Sequence, residues 1–244
     1  MSLNPNPDPA DPSPTPYEAY PQAGQVTVPP IPPIPPGFAF PRDQRPKASA
    51  TLIAVDICAF GDLRRDDLVQ LHLRDQMYRI LSQACTMTGL SLPDCYNEDR
   101  GDGVLIVAPP EPPADDLLAP FAYHLTAVLR RYNRLAGPIS HIRMRVALHT
   151  GLAHRDNHGV AGRSLVHLFR LLEAGSFKAA CAASAADIGV IVSDRLYEDA
   201  LAHGALIDPC DFQKLRVTCK ETRTWAWVWS PPNSGNGFAN TISN

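Results

Sequence analysis

The sequence predicts an α+β domain: a ferredoxin-like βαββαβ core with an antiparallel sheet, then a C-terminal α/β extension. Three stretches carry that expectation. Leu52, Ile53, Val55 and Ile57 form a short apolar run of strand length. Leu73, Met77, Ile80, Leu81 and Ala84 recur at helical spacing. Ile142, Met144, Val146 and Leu148 alternate with Arg143, Arg145 and His149, as a half-buried strand does.

The remaining elements fall between these. A helix opens near Asp67, and Gly89 is its natural stop. The segment around Tyr96, the turn Gly101-Asp102-Gly103 and the run Val104 to Ala108 read as a hairpin. A loop broken by prolines, Pro109 to Pro113, leads into a second helix from about Asp115 to Leu135. After the alternating strand come a helix (Arg163 to Glu173), a strand (Ile188 to Val192) and a helix (Asp194 to His203). Two closing strands lie near Leu215–Cys219 and Thr224–Trp229. Trp225, Trp227 and Trp229 alternate along the last of these and share one face, for packing or a dimer surface.

Composition divides the 244 residues into three parts. Fifteen of the 25 prolines lie within residues 1–47, which read as a disordered leader. Its Pro29–Pro36 run suits polyproline II, the conformation that aromatic grooves bind, so a partner for the leader is one expectation. Residues 48–231 form the globular domain, and the Asn/Ser/Gly-rich residues 232–244 a frayed tail. A net charge of -3 gives no electrostatic case for nucleic acid or an anionic membrane as partner. No apolar run reaches the roughly 18 residues of a membrane span. Six scattered cysteines, without a CxxC pair, read as the reduced thiols of a cytoplasmic protein.

The topology has a chemical consequence. In a βαββαβ unit the first strand lies beside the third and antiparallel to it, so the end of one abuts the start of the other. Asp56 stands at the former and Asp102 at the latter, 46 positions apart in the chain. Two carboxylates side by side, with phosphate oxygens, are what a magnesium ion takes. The amides of Ala59, Phe60 and Gly61 would then be open to a triphosphate.

At this point the residues resemble a known family, the class III nucleotidyl cyclases, over about residues 50–228. The resemblance rests on Val55-Asp56-Ile57 with Phe60, on Gly101-Asp102-Gly103, and on Met144-Arg145-Val146-Ala147-Leu148-His149-Thr150-Gly151. Gly162 with Phe169-Arg170-Leu171, Ile191-Val192-Ser193 and Val217-Thr218-Cys219-Lys220 complete it. It implies a nucleotide cyclase fold and a homodimer with a nucleoside triphosphate bound at the interface. Two Mg2+ or Mn2+ ions would be held by Asp56 and Asp102, with Ile57 in the same set. Arg170 would stabilise charge in the transition state from the partner subunit. Lys220 would lie near the triphosphate, and Tyr96, Phe60 and Gly61 would contact substrate. The product would be a 3′,5′-cyclic nucleoside monophosphate for intracellular signalling.

The sequence also departs from that family. Val166 stands where an asparagine precedes the arginine by four residues, and His167 is its nearest polar substitute. Tyr96 and Gly159 replace the lysine and aspartate that select a purine. A tyrosine there resembles the bacterial pyrimidine cyclases of antiphage defence. The alternative is a catalytically inactive module that dimerises or senses nucleotide. His149, His154, His158 and Asp156 lack the spacing of a zinc motif and read as solvated. Arg143 and Arg145 read as a solvated or ion-paired strand face. Cys58, beside Asp56, reads as a buried thiol of low reactivity.

Overall fold

Eight buried residues in succession make β1 (Ala50–Ile57) a central strand, because only a strand covered on both faces is buried throughout. This computed structural model describes residues 49–205 and 207–231. The predicted leader (1–47) and tail (232–244) lie outside the described residues. After β1 come α1 (Asp67–Met87), β2 (Tyr96–Asp99), β3 (Gly103–Ala108), α2 (Ala114–Asn133) and β4 (Met144–Gly151). The chain continues through β5 (His154–Asp156), β6 (Gly159–Ala161), α3 (Arg163–Leu172), α4 (Gly175–Ala183) and β7 (Ile188–Ser193). It closes with α5 (Asp194–Ala202), β8 (Phe212–Cys219) and β9 (Thr222–Trp229).

Seven strands form one sheet in the order β2-β3-β1-β4-β7-β9-β8, and β5 and β6 form a separate hairpin. β1 is antiparallel to both β3 and β4, as the βαββαβ reading requires. The pair β4 and β7 is parallel. Alternate residues of β1 feed two cores. Ile53, Val55 and Ile57 pack with Leu73 and Met77 of α1, Phe121 and Leu125 of α2, and Leu196 of α5. Leu52 and Ala54 pack with Leu165 and Leu168 of α3 and Phe177 of α4. The sheet is therefore a middle layer with helices on both faces. No helix among the described residues is long and apolar enough to cross a membrane.

Two pieces differ from the sequence reading. α4 was not foreseen: its sequence is mostly small residues and only Phe177 is buried, so it carries no apolar stripe. Its C-terminal carbonyls are held by Arg143, whose Nη2 donates to the oxygens of Cys181, Ser184 and Ala186 at 2.8, 2.8 and 3.1 Å. Arg143 is thus neither solvated nor ion-paired, but caps a helix. The β5–β6 hairpin occupies what read as a loop; its three-residue strands are too short and polar to show alternation. The closing tryptophans follow the expected face in graded fashion, with Trp229 buried, Trp227 stacked on Tyr197 at 3.9 Å, and Trp225 exposed.

Candidate functional site

The strand register places the two aspartates together. Asp56 is the partner of Gly103 across the β1–β3 ladder, and the Ile57 N–H donates to the Asp102 carbonyl at 2.9 Å. Gly103 is required there: a Cβ would run into the Val55 carbonyl and stand 3.1 Å from the Asp56 Cα. The hairpin tip that carries Asp102 is tied to α1. Arg74 donates to the Gly101 carbonyl and to Asp99, both at 2.7 Å, and the Tyr78 hydroxyl also donates to Asp99 at 2.7 Å. Asp56 is buried and Asp102 exposed. Ile57 turns its side chain into the α1–α2 core, which leaves only its backbone carbonyl to serve a cation.

Asp56 already has a partner. Arg145, directly opposite it on β4, donates through Nε to Oδ1 at 2.8 Å and through Nη2 to Oδ2 at 2.7 Å. This fork-to-fork geometry is that of an ionised carboxylate. Burial pushes the Asp56 carboxyl above the usual carboxylate range, the Arg145 hydrogen bonds and charge pull it back, and the nearby Asp102 charge adds to the rise. The Asp102 charge thus reaches the Asp56 carboxyl, which places the two acids in one electrostatic neighbourhood. Their all-oxygen donor set fits a hard cation such as Mg2+ or Mn2+. Among the described residues no group of three or more His, Cys, Asp or Glu converges as a metal cage, so phosphate and water oxygens would complete the shell.

The turn after β1 lies next to this corner. Ala59 takes a left-handed φ of 53°, and Arg65 donates to the carbonyls of Cys58, Ala59 and His141 at 3.1, 2.9 and 2.9 Å. With its carbonyls thus engaged, the turn leaves the Ala59, Phe60 and Gly61 amides without an acceptor among the described residues. α1 begins only beyond Asp66, whose side chain caps it by accepting from the Val69 N–H. The free donors at this corner are therefore turn amides, not a helix end. Burial pushes the Cys58 thiol up, which keeps it protonated and unreactive.

A second group of predicted residues gathers elsewhere. Val166 is 47% exposed on the outer face of α3. One turn on, Arg170 donates to Glu221 at 3.0 Å, beside Lys220 in the β8–β9 turn, where Lys220 has a φ of 51°. Tyr96 is buried and its hydroxyl donates to Glu98 at 3.0 Å. Burial, together with that bond, pushes the phenol up to about 12. A Cβ on Gly159 would stand 3.2 Å from the Tyr96 hydroxyl oxygen and 3.3 Å from Glu98, so the two positions read as a base-selecting pair do meet. Arg155 lies over the Tyr96 ring at 5.4 Å. His167 does not share the exposed face of Val166; its ring sits 4.8 Å from that of His149. His149 is not solvated either, being 9% exposed and bonded through Nδ1 to the Ser193 hydroxyl at 2.8 Å. Among the described residues, no hydrogen bond or ion pair joins the Asp56 corner to the Arg170 corner.

The sequence reading named neither Glu98 nor Arg155, and left Arg145 without a partner. The signal for Arg145 was its place in the strand opposite Asp56; the register alone supplies the match.

This backbone can be set beside solved structures. Similar ones include an adenylate/guanylate cyclase/hydrolase from Silicibacter pomeroyi, at 17% identity and a TM-score of 0.54, covering 75% of this chain and 96% of that one. The guanylate cyclase domain of RhGC from Catenaria anguillulae, crystallised with GTP, gives 18% identity and a TM-score of 0.52 over 75% and 96%. The guanylyl cyclase Cya2 gives 14% and 0.52 over 75% and 90%. The fold is that of the class III nucleotidyl cyclases. No family model and no curated protein matches the sequence. In this fold the Asp56 and Arg170 corners lie at two separate places of one chain.

Proposed function

We propose that the protein is a metal-dependent nucleotidyl cyclase. It converts a nucleoside triphosphate to a 3′,5′-cyclic nucleoside monophosphate and pyrophosphate, working as a homodimer in the cytoplasm. The observation that carries this reading is the register of β1 on β3, which sets Asp56 beside the strand end that bears Asp102. In the reaction the ribose 3′-oxygen loses its proton and bonds to the α-phosphorus, and the bond from that phosphorus to the bridging oxygen breaks, releasing pyrophosphate. Two Mg2+ or Mn2+ ions would supply activation of the hydroxyl and neutralisation of the triphosphate. Asp56, Asp102 and the Ile57 carbonyl would hold them. Arg145 keeps the Asp56 carboxylate ionised and oriented. The amides of Ala59, Phe60 and Gly61 donate hydrogen bonds to phosphate oxygens. Arg170 and Lys220 of a second copy bring positive charge to the leaving polyphosphate.

The buried Tyr96, against the bare Gly159, supports a pyrimidine base, and with it a messenger role in antiviral defence. A ring at this position fills space that a purine needs, and a neutral phenol cannot act as a cationic lysine does. Incubation of the purified protein with Mn2+ and each of the four ribonucleoside triphosphates, followed by mass spectrometry, should give a cyclic product from UTP or CTP in preference to ATP or GTP. Val166 favours a second reading, a dimerising module without turnover, because valine offers ribose no hydrogen bond. Absence of cyclic product from every base, with protein shown to be dimeric, would establish that second reading.

A further inference from the structure

At the far end of the β1–β4 ladder lies an open cavity of about 740 Å3, lined in part by His149, Gly151, Gly162, Arg163, Ser164 and Arg195. It is separated from the Arg145–Asp56 pair by four residues of β4, or about 13 Å. β4 and β7 run parallel, so the cavity opens at their shared carboxyl ends, where α/β folds commonly hold ligands. Its size is that of a small-molecule pocket. Among the described residues no carboxylate lines it.

Donors without acceptors converge on its wall. α3 starts here with no side-chain cap, and its first backbone bond is from Val166 to the Gly162 carbonyl. The amides of Arg163, Ser164 and Leu165 therefore lack partners among the described residues. Arg163 is exposed and forms no ion pair among the described residues, although a cation at a helix amino end works against the helix dipole. Arg195 has only a loose 3.7 Å contact to Asp199. The fixed polar group is His149, 9% exposed. Ser193 Oγ accepts from the Leu196 N–H at 3.3 Å and is bonded to His149 Nδ1 at 2.8 Å. Burial, with the charge of Arg195 contributing, pulls the His149 pKa down to about 4, so the ring is neutral. With Nδ1 engaged by Ser193, Nε2 is the ring nitrogen without a partner among the described residues, and it stands 3.4 Å from where a Gly151 Cβ would be, at the cavity wall.

We propose that this cavity binds the phosphate group of a small molecule, held by the Arg163 and Arg195 guanidiniums, the Ser164 hydroxyl, the free α3 amides and His149 Nε2–H. Two cations, a helix amino end and a buried neutral donor, with no opposing acid, form an anion site. It is distinct from the two-aspartate corner and does not depend on the cyclase reading.

The test uses the full chain in metal-free buffer with EDTA, observed by NMR. Inorganic phosphate, pyrophosphate and a nucleoside monophosphate are titrated separately, each against sodium chloride of matched ionic strength. Saturable shifts at the His149 ring and at the amides of residues 163–165 are expected for at least one ligand, and the ligand that saturates first identifies the source. The double variant Arg163→Glu/Arg195→Glu should retain its fold, since acids suit the first turns of α3 and α5. It should bind the same ligand more weakly by at least about tenfold. The proposal is overturned if the shifts follow ionic strength alone, if they centre on Arg145 or Arg170, or if the double variant binds as the wild type does.

Discussion

The Asp56 corner and the Arg170 corner carry opposite charges and are built in opposite ways. Asp56 and Arg145 are both largely buried and face each other across adjacent strands, so ladder hydrogen bonds fix their geometry. Arg170, on a helix face, is nearly as covered as Arg145, but its partner Glu221 stands in a turn beside the exposed Lys220 with a side chain 67% exposed. An ion pair that open to water is screened and holds its members loosely. The first corner is finished within one chain. The second pairs its arginine with a solvent-facing acid that a stronger anion can displace. That asymmetry supports the proposal of a site completed by a second copy.

The sharpest way to break the comparison is to remove each acid. Asp56→Ala and Asp102→Ala should each lower cyclase turnover by about two to three orders of magnitude. Their stabilities should differ, because Asp56→Ala strands a buried Arg145 charge, at a cost of about 3–5 kcal/mol, while the exposed Asp102→Ala stays within about 0.5 kcal/mol of wild type. Urea denaturation of the two variants reads that difference; equal stabilities would mean that the Arg145 pair is not held as described.

Mixing variants sharpens the contrast. Asp56→Ala and Arg170→Ala are each expected to be inactive alone. If the corners of different copies meet, random mixing makes half the dimers mixed, each with one intact site of two, so about a quarter of wild-type turnover should return. No recovery after subunit exchange would place both corners in one chain's site.

How far the sequence carried this picture depends on the element. The β1–β3 contact was legible because apolar runs and a known connection rule fix strand order, and the order fixes the neighbours of Asp56. α4 was illegible because alanine and small residues leave no periodic stripe. The Arg145 partner was illegible for another reason: composition shows a cation on a strand face, but only the pairing register says which acid lies across from it. His149 looked like a polar strand residue. Its burial comes from α3 and α5, elements whose approach no local pattern encodes.

The smallest expected effect concerns that histidine. Its folded pKa, about 4, lies below the ordinary 6.5. As a depressed group it contributes stability above pH 6.5, and loses it as the pH falls from there through about 4. The loss should amount to about 3 kcal/mol at most. In His149→Asn this component is missing, so the stability gap between wild type and variant should narrow from pH 7 to pH 4. A gap that stays constant would mean that the ring titrates freely.

The glycine at position 103 has a wider consequence. Because β1 crowds the space where a side chain would begin, the interval between the two acids is set by an omission. A methyl group there would wedge the strands apart and widen the cradle, altering the preferred ionic radius without touching either carboxylate. In the proposed two-metal site, metal preference would thus have a mechanical control one residue away from its chemistry.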